Sequence, residues 1–406
     1  MVHPSVTITQ EMFEPFAPIF YLSRFMCLHP LKWKKSNYNY CVTKSWIYVA
    51  YGCLVNIFIV STGIYGLYRA YELNVIYSMK VTSYAGLYVK ITDITVVMST
   101  FTIGVLCTSY KVNKYLNYFH YLTKVDHLLQ KRPENTRHYT IVTTGTVLAF
   151  LTIFIYDLVI GLQMGSKTEG VFASLAYLFP FYVAYFSLFV VELVYWHLVH
   201  SITVRLAVLN KRLSEILNGH NLCQIDKKAH NIVDTLKPDS NKGKLIKSTS
   251  VEKFVDLMKA YENLTEAAKI VNDCYGLVML IVLLGCLIHL LVTPYSLRTL
   301  TLEQSSPVFI VAQSIWMGIH IARLMLIIEP CHGCFQQLKE TSAIVCKLRL
   351  SEKEKEYRKA IDFFLTFLAQ CRIEFSAFGL TALGRNLLPP IAGAVTTYLV
   401  ILFQFQ

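Results

Sequence analysis

The sequence predicts an all-α membrane protein of seven transmembrane helices, with the amino terminus in the cytoplasm and the carboxyl terminus outside. Three observations carry this. Hydrophobic residues make up 54% and charged residues 16% of the 406, and mean hydropathy is +0.44. An ordinary soluble chain carries about 25% charged residues, so a chain this long and apolar cannot cover itself with polar surface. Seven apolar stretches, at 46–68, 83–107, 140–162, 171–198, 275–297, 307–328 and 387–406, are each long enough for a hydrocarbon core that needs ~20 helical residues. Finally, the basic residues fall on alternate connections. The amino-terminal segment and the second, fourth and sixth connections hold 32 of the 38 Lys and Arg, and the first, third and fifth hold 4. Cytoplasmic segments accumulate Lys and Arg, so the amino terminus is read as inside. Topology accounts for nearly all of the net charge of +12, and no nucleic-acid partner is needed to explain it.

Residues 1–45 form a cytoplasmic amino-terminal segment. Its apolar run at 13–28 is broken by Pro15, Pro18 and Arg24, and is expected as a short amphipathic element on the inner membrane surface. It lacks the compact apolar core and cleavage site of a signal peptide. Residues 46–330 hold the first six spans. The external connections are short, none above about 15 residues, so an external ligand must be recognised within the helical bundle. The internal ones are long and keep a helical period: Ile202, Leu206, Leu209 and Leu213, then Phe254, Leu257, Tyr261, Leu264 and Ala268, with a polar basic stretch at 237–247 between them. The stretch at 341–374 repeats that period. Helices are therefore expected to run past the membrane and pack on one another.

Several chemistries are excluded. None of the 11 cysteines falls in an external loop, so no disulfide framework is expected. Cys331-His332-Gly333-Cys334 has the look of half a zinc site, but no second ligand pair follows at a suitable spacing, and no metal or cofactor is expected. No Walker loop, His-Glu-x-x-His or Gly-x-Ser-x-Gly run is present, so an enzyme is not expected.

Charged groups inside a bilayer cost ~2.5–3.5 kcal/mol each on insertion scales, and those present are informative. Glu192, Arg323 and Glu329 fall toward the inner side and are expected to tie helices together. Asp93 and Asp157 lie in the middle to outer part, and Lys90 could simply pair with Asp93. In the sixth span Gln313, Trp316, His320 and Arg323 form one stripe, too polar to face lipid. Tyr177, Tyr182 and Tyr185 line the outer half of the fourth span, and Thr293 and Tyr295 end the fifth, with His289 deeper. Carboxylates and amides suit the hydroxyls of a sugar, and an aromatic ring suits its C–H face. The ligand-binding candidates are Asp93, Asp157, Tyr177, Thr293, Tyr295, Gln313 and Trp316. The plainer alternative is an interfacial aromatic belt.

In the last span, Pro389-Pro390 fits only a helix start, and Thr397, Ile401 and Gln404 share one face. Read alone, that helix is more readily a lipid-facing one with a polar end at the headgroups. The run Thr397-Tyr398, five apolar residues, then Gln404-Phe405 resembles the carboxyl-terminal hallmark of insect gustatory receptors. Phe375-Ser376-Ala377-Phe378-Gly379-Leu380 resembles the segment that precedes it. Ile19–Arg24, Pro180-Phe181-Tyr182, Cys286–Leu290 with Thr293 and Tyr295, and Trp316 with His320–Leu324 and Glu329–His332 are similar to the fructose-receptor branch. Leu399 stands where the other large sugar group carries Glu.

This resemblance implies a ligand-gated, non-selective cation channel in the plasma membrane. It implies a homotetramer, or a heteromer with other gustatory receptors. Residues 331–386 would be a cytoplasmic helical anchor and 387–406 the pore-lining helix. Thr397 and Ile401 would face the pore, and Gln404 and Phe405 would form its constriction. The expected partners are a small-molecule sugar (fructose or a similar monosaccharide), permeating cations and membrane lipid. The alternatives are a bitter-compound or polyol receptor of the same family, and a metabotropic seven-span receptor.

Overall fold

The computed structural model describes residues 5–26, 28–36, 39–72, 84–130, 136–165, 171–230, 240–302, 307–352 and 354–404. In chain order its helices are α1 (Gln10–Phe25), α2 (Trp46–Glu72), α3 (Tyr84–Tyr110), α4 (Val112–Leu129), α5 (Thr136–Gly165), α6 (Val171–His230), α7 (Ser240–Leu302), α8 (Pro307–Ser351), α9 (Lys355–Gln370) and α10 (Leu388–Gln404). Helices stand over all seven apolar stretches. Among the described residues five are long and apolar enough to cross a membrane, or six if α3 is taken with α4, onto which it bends by 64°. The last, α10, has 17 residues, about 25 Å at 1.5 Å per residue. Pro389 and Pro390 sit in its first turn, where a missing N–H costs nothing. On α2, Ile47, Leu54, Ile57, Phe58, Ile64 and Tyr65 are all exposed, an apolar face far larger than water tolerates on a monomer.

The helical period read in the long internal connections becomes continuous helix. α6 has 60 residues and α7 63, each about three times the ~20 residues that a bilayer needs. Ile202, Leu206, Leu209 and Leu213 of α6, and Phe254, Tyr261 and Leu264 of α7, are fully buried. α7 begins inside the polar basic stretch, at Ser240. Polar knots fix the register of this basic end of the bundle. Arg205 of α6 holds Asp126 of α4 through Nε at 2.8 Å and a terminal nitrogen at 2.6 Å, and also bonds Ser201. Asn210 of α6 donates to the Gln337 carbonyl of α8 at 2.9 Å and accepts from Thr341 at 2.6 Å. Lys114 of α4 meets Asp273 of α7 at 2.8 Å. That hydrogen bond, then the carboxylate charge, raises the Lys114 pKa.

The amino-terminal segment holds more structure than its sequence suggests. β1 (Ser5–Thr9), β2 (Leu31–Ser36) and β3 (Asn39–Lys44) form an antiparallel sheet in the order β1-β3-β2. The expected amphipathic helix is present as α1, but Phe13, Phe16, Ile19 and Phe20 are buried in protein. Trp33 of β2 and Tyr40 of β3 cover Phe13 at 5.5 and 4.2 Å between ring centroids, and Phe16 and Phe20 reach Phe119 of α4. Short strands with four lysines and no glycine turn carry little sequence signal, and no local pattern predicts the sheet.

His29 follows α1 and is buried between α4 and α7. Its Nε2 lies 2.8 Å from the Tyr275 hydroxyl and its ring 4.8 Å from that of Tyr115. His29 Nδ1 has no hydrogen-bond partner among the described residues. Burial lowers its pKa from 6.5 to about 3, because the imidazolium would lose its hydration. Unfolded His29 takes up a proton near 6.5 and folded His29 does not, so the unfolded state binds more protons between the two values. This group therefore costs stability progressively as pH falls from about 6.5 toward 3. Thermal unfolding of the detergent-solubilised protein is expected to fall less steeply with acidification in His29→Gln than in the parent. Equal slopes would contradict the buried neutral histidine.

Candidate functional site

The site is built on the seam between α6, α7 and α8. Glu192 of α6 and Arg323 of α8 are both buried in the apolar bundle. Arg323 Nε lies 3.0 Å from each Glu192 carboxylate oxygen, and a terminal nitrogen also bonds Oε1. The other terminal nitrogen donates to the Tyr185 hydroxyl at 2.6 Å. That hydroxyl lies 3.0 Å from His320 Nδ1, and the guanidinium also stands 4.7 Å from the Tyr185 ring centroid. The His320 and His289 rings stack nearly parallel, 5° apart with centroids at 4.4 Å. The expectation that Glu192 and Arg323 tie helices together is met by this geometry, and Arg323 has an acceptor for each of its three nitrogens. A buried charge is tolerated only when so paired.

The polar stripe read on the sixth span turns inward along α8. Arg323 and His320 are buried; Trp316 and Gln313, successively farther from the basic end, are half-buried. Trp316 packs edge-on against Tyr185 at 5.1 Å and lies 6.4 Å from Phe154 of α5, which in turn packs on Tyr182 at 4.5 Å. Thr293 of α7 is buried one turn beyond His289, and Tyr295 is half-buried. The structure thus gathers Trp316, Tyr185, His320 and His289 and sets Thr293, Tyr295 and Gln313 toward the same end. Asp93, Asp157 and Tyr177 fall within helices, but their side chains, like that of Lys90, lie outside the described residues, as does Phe405. Sequence reasoning did not assign Tyr185, His289 and His320 to the site. The available signal was spacing: His320 lies four residues from Trp316 and three from Arg323.

A second set of contacts joins this seam to α10. Between α9 and α10 the chain makes a hairpin of β4 (Ser376–Ala377) and β5 (Thr381–Ala382). Its turn places Phe378 at φ 55° and Gly379 at φ 72°, as a type I′ turn requires. The hairpin lies so close to α7 that a Cβ on Gly276 would come within 3.1 Å of the Phe378 nitrogen. Asn272 of α7 fastens it, donating to the Glu374 carbonyl at 2.6 Å and accepting from the Ser376 N–H at 3.1 Å. Just before α10, Arg385 makes a two-pronged bond to Glu329 of α8, 2.9 Å on each prong. At the far end of α10, Arg298 of α7 stands 4.2 Å from the Phe403 ring centroid. Ile391 and Val395 pack on the core, while Thr397, Ile401 and Gln404 are uncovered in the single chain. The Thr397 hydroxyl donates to the Gly393 carbonyl at 2.9 Å.

A model described as 7tm chemosensory receptor matches residues 16–406. The Gustatory receptor for sugar taste 43a of Drosophila melanogaster is 25% identical over 98% of this chain and 99% of its own. The Gustatory and pheromone receptor 32a of the same fly is 27% identical over 48% of this chain and 43% of its own. Among solved structures, the insect olfactory receptor OR5 from Machilis hrabei matches with a TM-score of 0.60 at 14% identity, over 97% of this chain and 99% of that one. At that identity the likeness is one of fold.

Removing one partner of a buried ion pair leaves the other charge unpaired, at a cost of about 3–5 kcal/mol, whereas replacing both by apolar groups is often close to neutral. Glu192→Leu and Arg323→Leu alone are each expected to lower the unfolding temperature in detergent sharply. The double substitution is expected to recover most of that loss. Additive losses would show that the two side chains do not act as a pair.

Proposed function

The chain belongs to the 7tm chemosensory receptor family, which is not a family of enzymes, and from that premise we propose that it is a gustatory receptor that opens a cation channel in response to an extracellular sugar. Fructose or a similar monosaccharide is the proposed ligand. The observation that carries the sugar reading is the likeness to a sugar taste receptor over nearly the whole of both chains. The chemistry at the seam supports it. An indole beside Tyr185, with hydroxyls and an amide at neighbouring positions, offers a flat apolar face and several hydrogen-bonding groups. A site built this way rejects analogues that leave its own polar groups unpaired. Asp93, Asp157, Tyr177, Thr293, Tyr295, Gln313 and Trp316 are the proposed ligand-binding residues.

In the proposed assembly four copies surround one pore in the plasma membrane, each contributing α10. The uncovered face with Thr397, Ile401 and Gln404 supports this, because an amide and a hydroxyl are poorly suited to lipid. Gln404 and Phe405 form the proposed constriction, an amide ring next to an apolar one, and the apolar ring of Phe405 can gate by dewetting. A sugar held between α6, α7 and α8 acts only through its difference in affinity between closed and open states. Movement of α8 would reach α10 through Glu329 and Arg385, and movement of α7 through the hairpin and through Arg298.

The test is a ligand panel on cells expressing this chain alone, read as whole-cell current with G-proteins blocked. A sugar-evoked current is expected; a response confined to bitter compounds or polyols would overturn the ligand, and loss of current under the block would overturn the channel. Trp316→Ala should raise the half-maximal sugar concentration by about tenfold, the scale of one lost aromatic contact; an unchanged concentration dependence would misplace the pocket. Gln404→Ala should change conductance or basal opening; neither changing would remove α10 from the pore.

A further inference from the structure

From Pro15 to Tyr71 the chain contains no Asp or Glu, yet it carries Arg24, Lys32, Lys34, Lys35 and Lys44 ahead of the first membrane helix. Among the described residues none of these five cations has a carboxylate partner. Elsewhere at the basic end Lys114, Arg205, Lys259, Lys269, Arg349, Lys359 and Arg385 are in ion pairs, while Lys253, Lys347 and Lys355, which lie in segments that also carry Asp and Glu, have no carboxylate partner among the described residues. Two of the unpaired cations are held against aromatic rings at the root of α2. The Arg24 guanidinium lies 3.9 Å from the Tyr48 ring centroid, and the Lys44 ammonium 4.0 Å from that of Trp46. The β2–β3 register sets Lys32 opposite Thr43, next to Lys44. Lys44 itself pairs with Leu31, so its side chain leaves the opposite face of the sheet from that of Lys32; Arg24 of α1 and Lys44 of β3 are the two cations fixed at the point where α2 begins, with Lys32 on the neighbouring strand. Around them Tyr21, Phe25, Trp46 and Ile47 are exposed at 56, 73, 61 and 80%, continuous with the apolar face of α2.

We propose that this corner is a binding site for the headgroup of an anionic phospholipid of the inner leaflet. Unpaired cations supply charge for the phosphate, and the exposed aromatic and aliphatic side chains supply the neighbouring apolar contact. An acidic protein surface could satisfy the charges but would leave that apolar rim uncovered, whereas a bilayer covers both. A basic cluster immediately beside a membrane helix gains about fivefold in affinity for anionic lipid per charge, and α1, β2 and β3 hold this one in fixed positions. Bound lipid would anchor the amino-terminal module to the membrane and hold the seat on which α4 and α6 rest. The inner-leaflet assignment rests on the topology in the proposed function; the headgroup chemistry does not.

The test uses the full-length protein in nanodiscs of phosphatidylcholine with a trace of fluorescent phosphatidylserine. Both leaflets are then accessible, so binding is read whichever way the chain is oriented. Arg24→Gln with Lys32→Gln and Lys44→Gln is expected to weaken phosphatidylserine retention about a hundredfold at low ionic strength. Lys32→Gln with Lys34→Gln, which disturbs no ring contact, is expected to weaken it about 25-fold. A control with Lys253, Lys347 and Lys355 changed to Gln, all exposed and outside this corner, should retain the lipid. Retention unchanged in both corner variants, or lost equally in the control, would overturn the site. An amino-terminal tag that antibody reaches on intact cells would overturn the topology while leaving the headgroup site standing.

Discussion

The bundle turns on one unfavourable circumstance: an arginine and a glutamate lie fully inside an apolar structure. Neither charge could be tolerated there alone, and each fixes the other's place. Glu192 fixes where α8 may sit on α6, and the third arm of Arg323, through Tyr185, fixes His320 and with it the stacked His289 of α7. Three long helices are thereby set in register at one depth. The half-buried end of the seam, with Trp316 and Gln313, is the continuation of that stripe. Under the proposed reading, a ligand held beside that stripe would rest on a rigid floor, as a site that must discriminate between polar ligands requires.

The same helices carry the connection to α10. α8 is bonded to its start through Glu329 and Arg385, and α7 holds the hairpin before it and the Phe403 ring near its end. α10 is thus held at both ends by the two helices that, with α6, form the seam. The exposed Glu329–Arg385 bond would be weak in open water. Its two-pronged geometry makes it a positional link rather than a source of stability. Under the proposed reading, ligand-dependent shifts of α7 and α8 need no further intermediary to reach the pore.

Much of this was legible in the sequence because apolar periodicity is set by burial. The seven helices, the long extensions of α6, α7 and α8, and the stripe on α8 all follow from where apolar and polar residues recur. The use of Glu192 and Arg323 was also legible, since charges in an apolar span have few alternatives. What escaped was non-local. In the β1-β3-β2 sheet, β1 pairs with β3 across 30 or more residues and around α1, and the lysine-rich β2–β3 hairpin alternates too weakly to announce itself. The docking of α1 against Phe119 depends on a helix bent away from α3 at Lys111, which no local pattern marks. Tyr185 and His320 are recognisable as partners only once α6 and α8 lie side by side.

The proposed channel requires the last helix to end outside the cell, as the wall of a shared conduit reached by a chain that starts in the cytosol. The most direct measurement places an epitope at the carboxyl terminus and exposes intact cells to antibody. Labelling without permeabilisation is the predicted result. Labelling that appears only after detergent treatment would contradict it.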